Sequence, residues 1–265
     1  MNAVAFAAAI GCAAGVSLVI APPFLRRIGR NLLVASAAPD LKPNTPRFGR
    51  VEPANFSDRD LKRARSLRTP GLASATKRAF DIVAALALIT AFSWLLILTA
   101  IAIRLDSPGP ALYRQRRVGK DGKQFDIFKF RSMRADAEKN GAQWARADDD
   151  RITRVGRFIR RTRIDEIPQA FNILRGEMSF VGPRPERPEF VTTLEKDIPH
   201  YHDRHIVKPG ITGWAQVRHE YTASVEGARE KLCYDLFYVK HFSLLLDLLI
   251  VLMTVRVAVL GIGSR

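Results

Sequence analysis

The sequence predicts an α+β fold that is mostly helical and includes one membrane-embedded helix, either re-entrant or spanning. Three patterns support this prediction. An uncharged apolar run covers residues 82–103, alternating stretches flank Asp121-Gly122, and amphipathic segments cover residues 151–163 and 244–262. The run predicts the membrane helix, the alternation predicts a small β-hairpin or sheet, and the amphipathic segments predict interfacial helices.

The charge of the chain indicates a polyanionic partner. Its 265 residues include 42 Lys and Arg against 26 Asp and Glu, a formal net charge of +16. Such a charge favours nucleic acid, an anionic membrane surface or phosphorylated small molecules as partners. The two cysteines, Cys12 and Cys233, exclude a disulfide scaffold and a CxxC metal knuckle.

The chain is predicted to divide into three parts. Residues 1–34 form either an N-terminal membrane helix or an unordered leader, and arginines that follow the Ala-rich apolar stretch argue against a cleaved signal peptide. Residues 35–76 are rich in Pro, Ser, Asn and Arg without apolar periodicity, which predicts a flexible linker. Residues 77–265 form the main folded domain, which includes the membrane helix.

The apolar run of residues 82–103 predicts that membrane helix. Its 22 uncharged residues make roughly 33 Å of helix, enough to cross a bilayer. Positive residues flank both ends, so a re-entrant segment that enters and leaves by one face satisfies both flanks. Ser93 lies at the midpoint, where its hydroxyl could satisfy a backbone group freed by a break. A straight spanning helix and a buried core helix are the alternatives.

A β-hairpin is predicted around Asp121-Gly122, a strong two-residue turn signal. From Gln124 to Arg131, apolar residues alternate with polar ones as in a half-buried strand. Lys129 and Arg131 share the face opposite Phe130. That face either meets a phosphate or is merely solvated.

Two further segments are predicted to be amphipathic helices. Residues 151–163 carry an arginine at every third position from 151 to 160, which suits either anionic headgroups or a solvated face. Residues 244–262 are apolar but contain Asp247 and Arg256. These charges favour a helix that lies in the membrane interface over one that spans it.

Asp165 and Glu166 are the candidate catalytic pair. Pro168 is tolerated only in the first turn of a helix, so a new helix is predicted to begin near Asp165 and to cover residues 167–174. The amides at its start, together with Arg160 and its neighbouring arginines, favour an ionised Asp165 as a nucleophile or metal ligand. The alternative is that Asp165 only caps the helix and Glu166 is a first-turn charge.

Gly182-Pro183-Arg184-Pro185 predicts a stiff turn that presents Arg184 in one place. Rigid presentation of a guanidinium suits bidentate binding of a phosphate, and a surface turn with a free arginine is the alternative. Glycines in the turn-rich stretch 208–217 indicate close approach to another backbone or to a ligand.

Three histidines, His200, His202 and His205, lie in one short stretch. Their spacing does not give two ligands at positions i and i+4 on one α-helical face. We therefore do not predict a zinc site there.

Several motifs in one order resemble the bacterial sugar transferases, the monotopic polyprenyl-phosphate phosphoglycosyl transferases. The resemblance covers about residues 77–262. It rests on KRAFD (77–81), LDSPGPALYRQRRVG (105–119), FKFRSM (128–133), DEIPQAFNIL (165–174), MSFVGPRP (178–185), KPGITGWAQV (208–217) and YDLFYVK (234–240).

The resemblance implies an enzyme of the bacterial inner membrane with its active site on the cytoplasmic face. It would transfer a sugar 1-phosphate from a UDP-sugar to a polyprenyl phosphate, the first membrane step of exopolysaccharide or glycoconjugate assembly. By motif position, Asp165 is the nucleophile that carries the phosphosugar, and Glu166 helps to hold Mg²⁺. Basic residues expected near the diphosphate or the lipid phosphate are Arg184, Arg160, Arg117 and Lys129.

The apolar run departs from the family pattern at its centre. Family members commonly carry Ser-Pro there, whereas Ser93 is followed by Trp94 in this chain. A proline removes a backbone donor and clashes with the preceding turn. Without it, a helix break at Ser93 has a weaker cause.

Two other functional classes are alternatives to an enzyme. A basic nucleic-acid-binding protein would explain the charge but not the apolar run, and a non-catalytic membrane anchor would leave the Asp-Glu pair without a role. The expected partners are therefore a UDP-sugar, a polyprenyl phosphate and membrane lipids, with no nucleic acid and with a homo-oligomer left open.

Overall fold

A computed structural model describes residues 49–66, 71–137, 139, 149–219 and 224–260 of the chain. The chain separates into two compact units, Met1–Arg50 and Val51–Arg265. Only residues 49 and 50 of the first unit are described, so the predicted membrane helix or leader of residues 1–34 lies outside this part of the chain.

The described part of the second unit is mostly helical, with two small sheets, which confirms the predicted fold class at this level. The α-helices are α1 (Asp58–Ser66), α2 (Leu72–Ala91), α3 (Ser93–Asp106), α4 (Arg154–Arg161), α5 (Gln169–Arg175), α6 (Pro188–Asp197), α7 (Trp214–Arg218), α8 (Val225–His241) and α9 (Leu244–Leu260). The strands are β1 (Leu112–Val118), β2 (Gln124–Phe130), β3 (Ser179–Val181) and β4 (Gly210–Thr212). Strands β1 and β2 pair antiparallel, and β3 and β4 pair parallel.

The predicted hairpin is present. Val118 pairs with Gln124 at the closed end of β1 and β2. A 3-10 turn, Lys120–Gly122, connects the strands. Asp121 and Gly122 have φ angles of 56° and 75°, in the left-handed region that favours these residue types.

The apolar run is broken into two helices that meet at an angle of 62°. Helix α2 ends at Ala91, and α3 begins at Ser93. Ser93 Oγ donates to the carbonyl of Thr90 at 3.0 Å, a side-chain bond of the kind that bends helices without proline. A straight helix over residues 82–103 is therefore wrong. Among the described residues, no single helix has the length and apolarity to cross a membrane, and only this bent pair meets that test.

Part of the predicted linker of residues 35–76 is packed. Helix α1 lies within it, and Lys240 Nζ on α8 binds Asp60 Oδ2 of α1 at 2.9 Å. Phe56 is buried, with its ring edge-to-face against His200 at 6.1 Å. Because α1 is mostly charged, it has no apolar periodicity, and its order comes from these contacts rather than from its own sequence pattern.

Two apolar clusters hold the segment that contains the acidic pair. Ile164 packs in one cluster with Ile103, Phe130 and Ile159. Ala170 and Ile173 of α5 belong to the other cluster, whose buried members are Ala85, Phe125, Ile127, Ala170, Ile173 and Met178. The chain between Ile164 and α5 is thus anchored at both ends, one end beside α3 and α4 and the other beside α2 and the hairpin.

A buried polar network joins α2, β3, α8 and α9. Lys77 Nζ lies 2.9 Å from Asp81 Oδ1 and 3.0 Å from Asp247 Oδ2. Ser179 Oγ donates to Asp81 Oδ1 at 2.9 Å, and Tyr238 Oη donates to Asp247 Oδ1 at 2.7 Å. The sequence interpretation placed α9 in the membrane interface partly because of Asp247. That reason is wrong, because Asp247 is fully buried and its charge is paired inside the protein.

Candidate active site

Asp165 and Glu166 lie in a 3-10 turn, Ile164–Glu166, and both are buried. The helix predicted to begin near Asp165 thus starts as a 3-10 turn, and the α-helix α5 itself begins at Gln169, with Pro168 as its N-cap. The left-handed conformation of Arg163, with φ of 60°, reverses the chain after α4. Its carbonyl accepts a bond from the amide of Glu166 at 3.2 Å. The turn therefore presents the two acids between α4 and α5.

Helix α5 is fixed against the hairpin and α2 by side chains at its C-terminal half. Asn172 Oδ1 accepts from the amide of Phe128 at 2.9 Å, and Asn172 Nδ2 donates to the carbonyl of Asp126 at 2.7 Å. Arg78 of α2 donates to two carbonyls in the last turn of α5, at 2.6 and 2.8 Å. The two Arg78 bonds use carbonyls that a helix end leaves unsatisfied. Together with the Asn172 bonds to the strand backbone, they set the position of the acidic turn.

Glu166 is held by an arginine on both carboxylate oxygens. Arg184 Nη2 donates to Glu166 Oε1 at 2.6 Å and Arg184 Nη1 donates to Oε2 at 3.1 Å. Lys129 Nζ lies 3.5 Å from Oε1. Burial alone would raise the pKa of Glu166, but Arg184 and Lys129 hold it well below its usual range. Glu166 is therefore a permanently ionised group in a fixed orientation.

Asp165 has the opposite environment. Its Oδ1 atom is buried and has no hydrogen-bond partner among the described residues. Burial, followed by the charge of Glu166, raises the pKa of Asp165 to about 6, against the opposing influence of Lys129, Arg184 and Arg160. A carboxylate that is ionised at neutral pH and not engaged by a donor is a competent nucleophile or ligand.

Lys129 stands on β2 beside both acids. Burial lowers its pKa to about 8 despite the nearby charge of Glu166, and Arg184 and Arg117 lower it further. Lys129 is thus mostly protonated at pH 7. Lys129 is therefore not part of a solvated strand face, which was the alternative. Arg131 has a structural role, because it donates to the carbonyls of Ser107 and Pro108 at 2.7 and 2.6 Å.

The turn that carries Arg184 is braced from two sides. Arg117 Nη1 donates to the carbonyl of Pro185 at 3.0 Å and lies 3.7 Å from Glu186 Oε2. Arg204 Nη2 donates to the carbonyl of Arg184 at 2.8 Å and to Asp235 Oδ2 at 2.8 Å. Arg117 therefore helps to position the turn, and its place near a phosphate stays a prediction.

The glycines predicted to allow close approach do so between two backbones. A Cβ on Gly182 would lie 2.3 Å from the carbonyl oxygen of Lys208, and one on Gly210 would lie 2.1 Å from the amide of Gly182. The amide of Gly210 donates to the carbonyl of Pro183 at 3.0 Å. The stretch around β4 thus supports the arginine turn directly.

Four of the sequence-predicted residues meet in one place: Asp165, Glu166, Arg184 and Lys129. Arg160, at the end of α4, acts on Asp165 through its charge. Ser93 lies at the break between α2 and α3 instead. The sequence did not identify Asn172 and Arg204, because the role of a buried polar residue is visible only once its partner is known. Asn172 lies within the motif 165–174, and Arg204 lies just before the motif 208–217.

The comparisons with known proteins agree with these motifs. Residues 72–261 match the model of a family described as "Bacterial sugar transferase". The chain is 52% identical over 189 residues to a UDP-N-acetylgalactosamine-undecaprenyl-phosphate N-acetylgalactosaminephosphotransferase of Aeromonas hydrophila, which covers 71% of this chain and 45% of that protein. It is 48% identical over 171 residues to a UDP-glucose:undecaprenyl-phosphate glucose-1-phosphate transferase of Xanthomonas campestris, covering 63% of this chain and 35% of the relative.

A relative of the same printed name from Caulobacter vibrioides is 46% identical over 181 residues, and the match covers 68% of both chains. The chain therefore spans less than half the length of the first two relatives but two thirds of this one. The matched region contains the acidic pair, the arginine turn and the hairpin. On these matches, the chain belongs to the bacterial sugar transferase family.

Proposed function

We propose that this protein transfers a sugar 1-phosphate from a UDP-sugar to a polyprenyl phosphate. The observation that carries the proposal is the buried Oδ1 of Asp165, which has no hydrogen-bond partner among the residues that the structure describes. It lies beside Glu166, whose charge is already balanced by Arg184. In this pair, Asp165 supplies a free carboxylate oxygen, and the oxygens of Glu166 are held by Arg184. The printed names of the relatives supply the class of substrate.

The proposed reaction has two displacements at one phosphorus atom. Asp165 Oδ1 attacks the β-phosphorus of the UDP-sugar, a bond to that phosphorus forms, and the bond to the bridging oxygen breaks to release UMP. An oxygen of the polyprenyl phosphate then attacks the same phosphorus, which returns Asp165 as a free carboxylate. Lys129, Arg160 and Arg184 place positive charge where the oxygens of the transferred phosphate would lie, which lowers the barrier to attack by an anion.

We also propose that Mg²⁺ takes part, held by Glu166 with Asp165 beside it. Oxygen donors suit Mg²⁺, which commonly uses one or two carboxylates together with substrate phosphates. Glu166 fits this role only in competition with Arg184, which engages both of its oxygens. When bound, the ion would offset the charge of the diphosphate.

We further propose that the bent pair α2–α3 enters the cytoplasmic leaflet of the bacterial inner membrane and leaves by the same face. Its outer side is apolar and exposed, as at Trp94, Ile97 and Leu98. Arg78 at one end binds carbonyls of α5. At the other end, Asp106 Oδ2 accepts from the amide of Val155 at 3.1 Å. Both ends are thus tied to the domain that carries the acidic pair, which favours a re-entrant segment.

The decisive experiment follows UMP release from detergent-solubilised protein with Mg²⁺ and a panel of UDP-sugars, beginning with UDP-N-acetylgalactosamine and UDP-glucose. Without polyprenyl phosphate, we expect a burst of about one UMP per chain, because the covalent intermediate cannot turn over. Addition of polyprenyl phosphate should then give continuous release. Absence of UMP with every sugar would reject the transferase and leave the nucleic-acid-binding protein or the non-catalytic membrane anchor.

A further inference from the structure

A second group of donor side chains lies outside the acidic site. Glu195 is in the last turn of α6, and His202 and His205 are on the 3-10 helix Tyr201–Ile206. One ligand atom from each of these three residues lies within 4.8 Å of the other two. The group therefore brings two imidazoles and one carboxylate together from two neighbouring elements.

The 3-10 geometry explains why these histidines meet. A 3-10 helix has three residues per turn, so side chains at positions i and i+3 lie above one another. The rings of His202 and His205 are accordingly 5.7 Å apart between centroids. The sequence argument against a metal site assumed an α-helix, in which ligands are expected at i and i+4. That assumption is wrong for this segment.

His205 is the unusual member of the group. Its side chain is buried, with 5% of the residue exposed, and neither ring nitrogen has a hydrogen-bond partner among the described residues. Buried polar atoms nearly always have a partner, and a bound ion would supply one to a ring nitrogen of His205.

The other two donors are accessible and already in contact. His202 Nδ1 lies 3.0 Å from Glu195 Oε1, and both side chains are exposed. A cation could reach them from solvent, and small rotations of these two side chains would bring their atoms toward His205. The buried histidine thus supplies a fixed ligand and the exposed pair supplies adjustable ones.

We propose that Glu195, His202 and His205 bind one divalent transition-metal ion of the Zn²⁺ class. Two imidazole nitrogens and one carboxylate oxygen form a donor set that such ions accept, with a fourth position left for water. Mg²⁺ prefers oxygen ligands and is a poor fit. The site is therefore distinct from the acidic pair, and its occupancy does not depend on the proposed transfer reaction.

A bound ion would connect α6 to the segment that braces the arginine turn. Arg204 lies between the two histidines in sequence and donates to the carbonyl of Arg184 at 2.8 Å. The ion would thus fasten the 3-10 helix from which Arg204 holds the turn. A ligand that binds only the folded protein raises its free energy of unfolding by an amount that grows with the logarithm of the free ligand concentration over Kd, so Zn²⁺ should raise the melting temperature.

The test uses the full chain, purified without a polyhistidine tag and stripped with EDTA. Equilibrium dialysis against Zn²⁺ should give one ion per chain, and Co²⁺ should give visible absorption bands of a four-coordinate site. We expect His202→Ala and Glu195→Gln each to weaken Zn²⁺ binding at least tenfold. His200→Asn is the matched control, because His200 lies outside the group and its left-handed backbone, with φ of 62°, is tolerated by asparagine.

The outcomes separate clearly. Stoichiometric binding that is lost in the His202 and Glu195 variants and kept in His200→Asn supports the site. Binding that survives in both variants, or a wild-type protein that retains no Zn²⁺ after dialysis, overturns it. Because both altered side chains are exposed, melting temperatures of the metal-free variants should match that of the wild type, which keeps a folding defect from imitating loss of a ligand.

Discussion

Arg184 binds both carboxylate oxygens of Glu166, at 2.6 and 3.1 Å, while the adjacent Asp165 keeps one buried oxygen that no group in the described part of the chain hydrogen-bonds. Two neighbouring acids therefore have pKa values displaced in opposite directions, downward for Glu166 and upward for Asp165. Separation of this kind is how one site assigns different roles to two like groups. Glu166 is the fixed charge, and Asp165 is the group with a free oxygen.

Asp165→Asn should abolish the UMP burst and lower the rate of UMP release at least about 1,000-fold, because an amide oxygen cannot replace a carboxylate as the attacking group. The shape and volume of the side chain are nearly unchanged. The measurement is UMP released per chain without lipid acceptor. Asp126→Asn is the control, since Asp126 is a partly exposed acid in a surface ion pair with Arg116 at 3.2 Å. Equal burst sizes in both variants would exclude Asp165 as the nucleophile.

Arg184→Gln should lower the free energy of unfolding by about 3 kcal/mol, because it leaves Glu166 buried without its main partner. The double variant Glu166→Gln, Arg184→Gln removes the unpaired charge and should recover at least half of that loss. UMP release should stay low in both. Melting curves and the burst assay together test this prediction. If the double variant recovered activity along with stability, Arg184 would be a structural residue only.

The stability of the metal-free protein should depend on pH through Asp165. Its pKa is about 6 in the folded protein against an ordinary value of 3.8, so the folded state binds more protons than the unfolded state between these values. The free energy of unfolding should therefore fall as pH rises from about 4 to about 7, by at most about 3 kcal/mol. Because Asp165 is still half protonated at pH 6 in the folded protein, this contribution becomes constant only above about pH 7.

Asp165→Asn removes the titrating group and should remove that fall. The experiment compares unfolding of the wild type and the variant in EDTA at pH 4, 5, 6 and 7. We expect the variant to gain stability relative to the wild type across this range. Parallel curves would show that Asp165 has an ordinary pKa in the folded protein.

Sequence patterns predicted the elements whose determinants are local. The hairpin follows from the Asp121-Gly122 turn, and the break in the apolar run lies beside Ser93, where a hydroxyl was available. The motif order identified the acidic pair and the arginine turn as parts of one site. The pairing of Arg184 with Glu166 depends on a fold that brings together residues 18 positions apart, and no periodicity encodes it.

The parts that could not be predicted depend on tertiary partners. The charge of Asp247 predicts an interfacial helix from the sequence alone. In the structure that charge is paired with Lys77, which is far away in the sequence. Helix α1 has no apolar pattern, and Lys240 holds it through Asp60. The 3-10 turn at Asp165 also depends on tertiary contacts, because the apolar clusters on either side of it determine the backbone conformation there more strongly than local helix propensity does.

Gly210→Ala should destabilise the protein by about 3 kcal/mol or more, which is at or above the usual cost of overpacking. The added Cβ would lie 2.1 Å from the amide nitrogen of Gly182 and 2.4 Å from the carbonyl oxygen of Thr212, and neither backbone atom can move alone. Thermal unfolding measures the effect. Gly122→Asn is the control, because a Cβ there would meet only the His202 ring, at an ordinary contact distance of 3.7 Å, and asparagine tolerates a positive φ. Equal melting temperatures would show that the two backbones separate easily.

The two ends of the bent pair α2–α3 should lie on the same side of the membrane. Arg78 near one end binds α5, Asp106 at the other end binds the amide of Val155 at the start of α4, and the pair bends by 62° between them. A spanning helix would carry one of these contacts to the far side, where its partner could not follow. We expect epitope tags placed before Lys77 and after Asp106 to be protected in right-side-out vesicles and exposed in inverted ones. Labelling of one tag from outside would show that the segment spans the membrane, and it would also require that the contact at that end be broken in the cell.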